Sequence, residues 1–200
     1  FMFYGAGAFN QPIGSWDVSS AINMQNMFDS NDIFNQPIDN WDLSSALYIS
    51  GMFQSNTAFN QPLNSWDVSN VILIQNIFWN STAFNQNIGS WDMSNLTNTQ
   101  WMFRGATAFN NGGVTGIGTW DLSSVTNMEY MFRDASSFNQ PIGIWQTGAV
   151  TNMSGMFNGA TIFNKDLSTW CVTNITTEPA SFSANSALTS ANKPVWGTCP

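Results

Sequence analysis

The sequence predicts an α/β solenoid, in which stacked windings carry short parallel strands on one face and short helices on the other. Two observations support this prediction. Phe-Asn recurs at residues 9, 34, 59, 84, 109, 138 and 163, so every step is equal except the longer one from 109 to 138. A Trp follows seven residues after each Phe, or eleven after it in the fifth unit. A fixed period of about 25 residues is typical of stacked repeats rather than of a globule with one central core.

The first part of each unit predicts a short strand. In the first unit Trp16 and Val18 alternate with Ser15 and Asp17, as in a strand with one buried face. The same alternation recurs at Trp41 and Leu43, Trp66 and Val68, Trp91 and Met93, and Trp120 and Leu122. Pro at 12, 37, 62 and 141 precedes this segment, a position that the entrance of a strand tolerates.

The second part of each unit predicts a short helix. Ser or Asn at its start is a good helix cap. The apolar residues behind the cap have helical spacing, as in Val71, Ile74, Ile77 and Phe78, or Val125, Met128, Met131 and Phe132. A strand, a helix and a return turn within one such period match the leucine-rich-repeat plan. The runner-up is an all-β solenoid, in which the apolar stripe forms a third strand.

Stacking of equal windings places identical side chains in columns. We expect Trp and Phe columns to fill the core, and an Asn column to satisfy backbone groups between windings. The Asn positions are 10, 35, 60, 85, 110, 139 and 164. The segment 111–118 adds four residues to the fifth unit and is rich in Gly, so we expect it to bulge outward as a loop.

We assign residues 1–175 to a repeat domain of seven units and residues 176–200 to a C-terminal cap. Cys171 and Cys199 are the only cysteines, and their place at the end of the array predicts a disulfide that fastens the cap. Such a bond would suit an oxidising, extracellular setting. Two free buried thiols are the alternative. The first residues already match the interior of a repeat, so we expect the chain to be a fragment lacking its signal and upstream windings.

Composition excludes several functions. Only 8% of residues are charged and the net charge is −8, which disfavours nucleic acid as a partner. No apolar run approaches the roughly 20 residues of a membrane span, so this segment is not expected to insert into a membrane. The chain has no His and no phosphate-binding Gly motif, and its carboxylates are scattered, so we expect no enzymatic activity.

The repeated sequence motif also resembles that of a known family. Phe-Asn-Gln-Pro-Ile-Gly-Ser-Trp-Asp-Val-Ser over residues 9–19, with Val125-Thr126-Asn127-Met128 and Met131-Phe132, is similar to the repeat of BspA-like leucine-rich-repeat surface proteins. The resemblance covers residues 1 to about 175, and the tail from Trp170 to Pro200 looks like the closing cap of such arrays. It implies a bacterial protein, secreted or anchored at the cell surface, that serves in adhesion and recognition.

Aromatic and basic residues outside the repeated core positions are the candidate ligand-binding residues. They are Tyr48, Trp79, Trp101, Arg104, Tyr130 and Arg133. Trp79 stands where other units have polar residues, so we expect it to be exposed. Exposed aromatic rings among Asn and Gln can stack on sugars. The alternative is that these rings pack between neighbouring helices or contact an adjacent molecule.

A row of carboxylates after the Trp positions is the second candidate. It comprises Asp17, Asp42, Asp67, Asp92 and Asp121. Like charges about 5 Å apart would favour a line of Ca²⁺ ions. The favoured alternative is that each Asp accepts backbone amides from its own Asp-x-Ser turn, and then no cofactor is needed. Asn80, Asn95, Asn152 and Asn174 begin triplets that a eukaryotic secretory pathway could glycosylate, although chance triplets are expected in this composition.

These observations predict a non-catalytic extracellular repeat module for adhesion or recognition, with a surface glycan or protein as its partner. A structural spacer or self-associating filament subunit, joined through its ends, is the alternative. Particle size measured against concentration distinguishes the two.

Overall fold

The computed structural model describes residues 1–200 and shows a chain built almost wholly of turns. Its helices are three short 3₁₀ segments, Asn111–Gly113, Gly116–Thr119 and Ser190–Asn192. The β-structure is limited to isolated bridges, such as Asn23 to Tyr48 and Tyr48 to Leu73. Of 85 backbone hydrogen bonds, 84 lie outside helices and strands. The predicted α/β solenoid with parallel strands and short helices is therefore wrong, and so is its all-β runner-up.

The predicted helices are instead series of overlapping turns. In the segment 76–81 alternate residues bond differently: the N–H of Ile77, Trp79 and Ser81 reaches the carbonyl three residues back, at 3.1 to 3.3 Å. The N–H groups between them reach the next unit, from Asn76 to Gln100 (3.1 Å) and from Phe78 to Met102 (3.0 Å). A helix would direct every N–H to its own segment. The helical spacing of apolar residues thus arises from turns that share one buried side.

The predicted strands are turns as well. Burial alternates as expected, since Trp91 and Met93 are buried while Asp92 between them is exposed. However, the backbone N–H of Trp91 donates to Ile88 O (3.2 Å) and that of Leu96 to Met93 O (3.1 Å), within the same unit. In this arc the backbone forms no ladder with its neighbours, and side chains join one unit to the next.

Successive units lie on one another and bury aromatic columns, as predicted. The column of Phe28, Phe53, Phe78, Phe103, Phe132 and Phe157 has neighbouring ring centroids 5.5 to 5.8 Å apart. A second Phe column lies beside it, and its Phe84 stacks on Phe78 at 3.8 Å. Trp66 and Trp91 stack at 6.3 Å in a third column. These columns belong to one core of 52 buried residues that runs through the whole stack.

Two sets of side-chain hydrogen bonds fasten the units together. The indoles of the Trp column donate to a carbonyl of the preceding unit, as from Trp91 Nε1 to Leu63 O at 2.9 Å. The same bond occurs at Trp41, Trp66, Trp120, Trp145 and Trp170. The Asn column accepts from the following unit, as at Asn60 Oδ1, which receives the backbone N–H of Asn85 at 2.9 Å. The predicted Asn column that satisfies backbone groups is therefore confirmed. Because these partners lie one full repeat apart in the sequence, the hydrogen bonds require the same period as the core.

The four-residue insertion in the fifth unit folds back onto the fourth. Asn111 is buried, accepts the N–H of Ile88 at 2.9 Å and donates to Val114 O at 2.7 Å. Gly116 lies against the backbone of Gly89, where a Cβ on either residue would collide. The segment is thus anchored to its neighbour at both ends, while residues 112–115 between them are exposed, as expected for the loop predicted from its glycines.

Residues 176–200 continue the stack. Phe182 O accepts the N–H of Phe157 at 2.8 Å, and the backbone N–H of Thr189 donates to Asn164 Oδ1 at 3.0 Å. The expected disulfide between Cys171 and Cys199 is present and ties the end of the chain to the seventh unit. None of the helices has the length and apolar character needed to cross a membrane.

Candidate binding surface

Five of the six candidate binding residues lie together in a continuous row, which we call the aromatic–arginine row. Its members are Trp101, Trp79, Arg104, Tyr130 and Arg133. The indoles of Trp101 and Trp79 are 5.5 Å apart between centroids and tilted by 46°. The Arg104 guanidinium lies 5.0 Å from the Trp79 ring and 5.8 Å from the Tyr130 ring. Arg133 lies 5.1 Å from Tyr130 on the far side. Each contact is within cation–π or aromatic range.

The turns of three successive units build this row. Backbone hydrogen bonds close one turn from Asn76 to Trp79, another from Trp101 to Arg104 and a third from Tyr130 to Arg133, each at 3.1 Å. Such a turn holds its first and fourth residues within about 7 Å. Since neighbouring units are stacked in register, three turns place their end residues side by side.

Trp101 and Tyr130 hold unusual backbone conformations. Their φ angles are +59° and +53°, in the left-handed region that side chains with a Cβ disfavour. Equivalent positions in other units hold Asn26, Asn76 or a glycine, which are residues suited to that region. Large aromatic side chains therefore stand where the backbone favours small ones. Sequence reasoning missed this feature, and a column-by-column comparison of the units would have shown it.

The row is confined to the middle of the stack. At the place of Trp79, Arg104 and Arg133, the first two units have Asp29 and Gln54. The following unit has Gly155 opposite Tyr130, and the Tyr130 ring lies so close over it that a Cβ there would collide with the ring. The row is therefore a local departure from the repeat and not a property of every unit.

The row is half-buried rather than fully exposed. Trp79 has intermediate exposure, so the prediction that it is exposed is wrong, because the Arg104 side chain and the Trp101 ring cover part of it. The indole Nε1 of Trp101 is buried and has no hydrogen-bond partner. The sixth candidate, Tyr48, is not placed with the row; its backbone instead forms isolated bridges to Asn23 and Leu73.

Acidic residues flank the row and are already engaged. Asp134 accepts from Arg133 Nε at 3.3 Å, and Glu129 accepts from Gln100 Nε2 at 2.7 Å. The two ion pairs of the structure are Arg133 to Asp134 and Lys193 to Glu178. Arg104 is therefore held by aromatic rings and has no carboxylate partner.

The Asp residues of the carboxylate row form Asp-x-Ser turns, which is the interpretation that the sequence favoured. Ser69 donates both its hydroxyl and its backbone N–H to Asp67 Oδ1, at 2.6 and 3.0 Å, and equivalent backbone bonds occur at Asp17, Asp42, Asp92 and Asp121. These hydrogen bonds hold the pKa of Asp67 below its usual 3.8, although the Asp42 charge raises it by a smaller amount. No three Asp, Glu or Cys side chains lie close enough together to hold a metal ion.

The first unit has an exposed apolar end. Phe1 and Met2 are 75% and 69% exposed, and with Trp16 they line a cavity that also contacts Met24 and Met27. In interior units an adjacent unit covers the equivalent surface. This end lies away from the aromatic–arginine row along the stack.

The geometry defines a tandem-repeat protein whose units stack in register through aromatic columns and turn-to-turn hydrogen bonds. The chain belongs to the family described as "Mycoplasma protein of unknown function, DUF285", whose sequence model matches it twice, over residues 1–116 and 83–196. No curated protein and no solved structure matches the chain.

Proposed function

We propose that this protein is a non-catalytic extracellular recognition module that binds a surface glycan or protein through the aromatic–arginine row. The observation that carries the proposal is the placement of Trp and Arg side chains in three consecutive units, at positions that are small or polar elsewhere. Half-buried aromatic and Arg side chains are the residue types that contribute most to binding energy at interfaces.

The strain at Trp101 and Tyr130 supports this proposal. A non-glycine residue in the left-handed region costs of order 1–3 kcal/mol, and such conformations cluster at functional sites. Asn or Gly would avoid this cost, as the other units demonstrate. A large ring at this position is thus unfavourable for the backbone, and binding is a reason for its presence.

The proposed extracellular location has separate support. A disulfide joins Cys171 to Cys199, and disulfides persist in oxidising compartments. The repeated sequence motif also resembles that of BspA-like bacterial surface proteins, which serve in adhesion. A surface of Asn, Ser, Thr and Gln with few charges offers many neutral hydrogen-bonding groups around the row.

Substitutions copied from other units test the proposal with little risk to folding. Trp79→Gln and Trp101→Asn install residues that Gln54 and Asn76 already show to be compatible with the turn. We expect both variants to keep the circular-dichroism spectrum of the parent protein and to lose binding on glycan and extracellular-matrix protein arrays. Ile162→Ala is the matched control, because Ile162 is an apolar residue that is 50% exposed and outside the row. Unchanged array binding in both Trp variants contradicts the proposal.

The second candidate function is a structural spacer whose copies associate through their ends. The stacking of units in register favours it, because the units of a second copy could stack on the array through the same aromatic columns and turn-to-turn hydrogen bonds. Sedimentation over a range of concentrations tests it. A mass that rises with concentration supports self-association, and a constant monomer mass rejects it.

A further inference from the structure

Both arginines of the protein lie in the aromatic–arginine row, although the net charge is −8. The other two basic residues are Lys165 and Lys193, and Lys193 is paired with Glu178 at 2.6 Å. Asp134 and Glu129 offset much of this charge, and Arg104 is the arginine that no carboxylate pairs with. An anionic group would therefore be attracted to Arg104 and repelled from most of the remaining surface.

The guanidinium of Arg104 lies over two aromatic rings, and its N–H groups form no hydrogen bond. Trp79 lies 5.0 Å from it and Tyr130 lies 5.8 Å from it, so two aromatic rings restrict the side chain. The N–H donors of a guanidinium lie in its plane, where their fork matches the two oxygens of a carboxylate. Arg133 differs, because Asp134 already accepts from its Nε at 3.3 Å.

We propose that the aromatic–arginine row binds an acidic saccharide, whose carboxylate pairs with Arg104 while a sugar ring packs against the indoles of Trp79 and Trp101. This inference rests on the proposed recognition function and names its ligand class. Indole rings provide the apolar surface that the C–H face of a sugar requires.

The charges around the row favour a ligand with isolated negative groups. Glu129 and Asp134 flank the two arginines, and a densely charged polymer would have to approach both carboxylates. A saccharide with one carboxylate in every second ring presents a single anionic group to Arg104. The same reasoning disfavours highly sulfated chains, because only two arginines are available to neutralise them.

Calorimetric titration with a matched pair of oligosaccharides tests the proposal. The acidic probe alternates glucuronic acid with N-acetylglucosamine, and its partner is the same chain with each carboxylate reduced to an alcohol. Loss of a charge-assisted hydrogen bond corresponds to roughly 10-fold or more in affinity, so we expect the reduced chain to bind at least tenfold more weakly. Arg104→Gln, which copies Gln54, should weaken binding of the acidic probe by the same factor and leave the affinity for the reduced probe unchanged.

Further variants and probes in the same titration distinguish the ways in which the proposal could be wrong. Arg104→Lys keeps the charge without the planar fork and should bind with intermediate affinity. Equal affinity for the acidic and the reduced chain overturns the ligand class while the recognition function stands. Tighter binding of a heparin fragment or of an acidic peptide also overturns it. Absence of binding to both chains, together with an array on which Trp79→Gln changes nothing, overturns the inference and the proposed function together.

Discussion

Replacing Trp91 with Phe tests whether the indole hydrogen bonds fasten one unit to the next. Trp91 lies in the middle of the stack, is 2% exposed and donates from Nε1 to Leu63 O at 2.9 Å. Its ring stacks on Trp66 at 6.3 Å and on Phe78 at 6.2 Å. Phe keeps an aromatic ring in the column but removes the donor and part of the ring volume.

Two effects give the expected magnitude. Leu63 O also accepts the backbone N–H of Trp66 at 3.2 Å, so it does not lose every partner, and the lost bond costs about 1 kcal/mol. The smaller ring leaves a cavity that the neighbouring rings fill only in part, which costs about 1–2 kcal/mol. We therefore expect Trp91→Phe to lower the free energy of unfolding by roughly 2–3 kcal/mol.

The first unit supplies a matched control. Trp16 occupies the same repeat position but is 39% exposed, and its Nε1 donates no hydrogen bond. Trp16→Phe should cost less than about 1 kcal/mol. Urea titration followed by far-ultraviolet circular dichroism measures both variants, and fluorescence checks that the transitions coincide. Equal losses in the two variants would refute the idea that contact between units, rather than a local effect of the ring, provides the stability.

Three further predictions concern acid, the disulfide and a glycine. Side-chain and backbone hydrogen bonds from Ser lower the pKa of Asp17, Asp42, Asp67, Asp121 and, with the backbone bond first, Asp166. Carboxyl groups whose pKa is lowered in the folded state contribute stability that is present above pH 3.8 and is lost as the pH falls below it. Burial raises the pKa of Asp29 and so opposes this pH dependence, but only at one site. The urea concentration at the unfolding midpoint should therefore decrease as the pH is lowered below 3.8, and it should decrease less steeply in Ser69→Ala. A midpoint concentration that increases in acid would contradict the stabilising role of these Asp-x-Ser turns. Reducing the Cys171–Cys199 bond, which spans 28 residues, should cost about 3.5 kcal/mol in the chain-entropy model, whereas a Cys171→Ser, Cys199→Ser variant should not respond to reductant. Gly105→Ala should cost about 1–2 kcal/mol, because φ is +68° and the new Cβ meets the Asn80 side chain, whereas Gly7→Ala, with open space around it, should change the unfolding temperature little.

The columns and their contents could be predicted from the sequence because they depend only on the period. Once Phe59 and Phe84 are known to be one repeat apart, stacking in register brings their rings together whatever the backbone does between them. The rings do meet, at 6.2 Å. The burial of Trp91 and the bonds of the Asn column follow for the same reason.

The local backbone could not be predicted from apolar spacing. Ile74, Ile77 and Phe78 are buried at intervals that fit a helix, yet overlapping turns bury the same residues. The distinguishing signal is a second pattern, in which residues suited to positive φ occur four apart, as at Asn76 and Asn80. A short helix that contained such pairs would be poorly stabilised, because Asn in a helix interior competes with the backbone for hydrogen bonds.

The residues of the aromatic–arginine row could be picked out from the sequence, but their arrangement could not. Trp79, Trp101 and Tyr130 stood out because they interrupt a polar pattern. The cation–π contacts of Arg104 are to Trp79 and Tyr130 in the units on either side, so they follow from the stacking of three turns in register. The direction of each side chain depends on backbone angles, such as the φ of +59° at Trp101, that apolar spacing does not show.

The insertion at 111–118 shows which part of a unit accepts a change in length. Four extra residues enter between Asn110 and Trp120, and both Asn110 and Trp120 keep their bonds to the preceding unit. Recombination between units would therefore preserve the columns if it exchanged whole units or altered this arc alone. An array of this kind can lengthen by duplication while the three units that carry the aromatic–arginine row diverge independently within it.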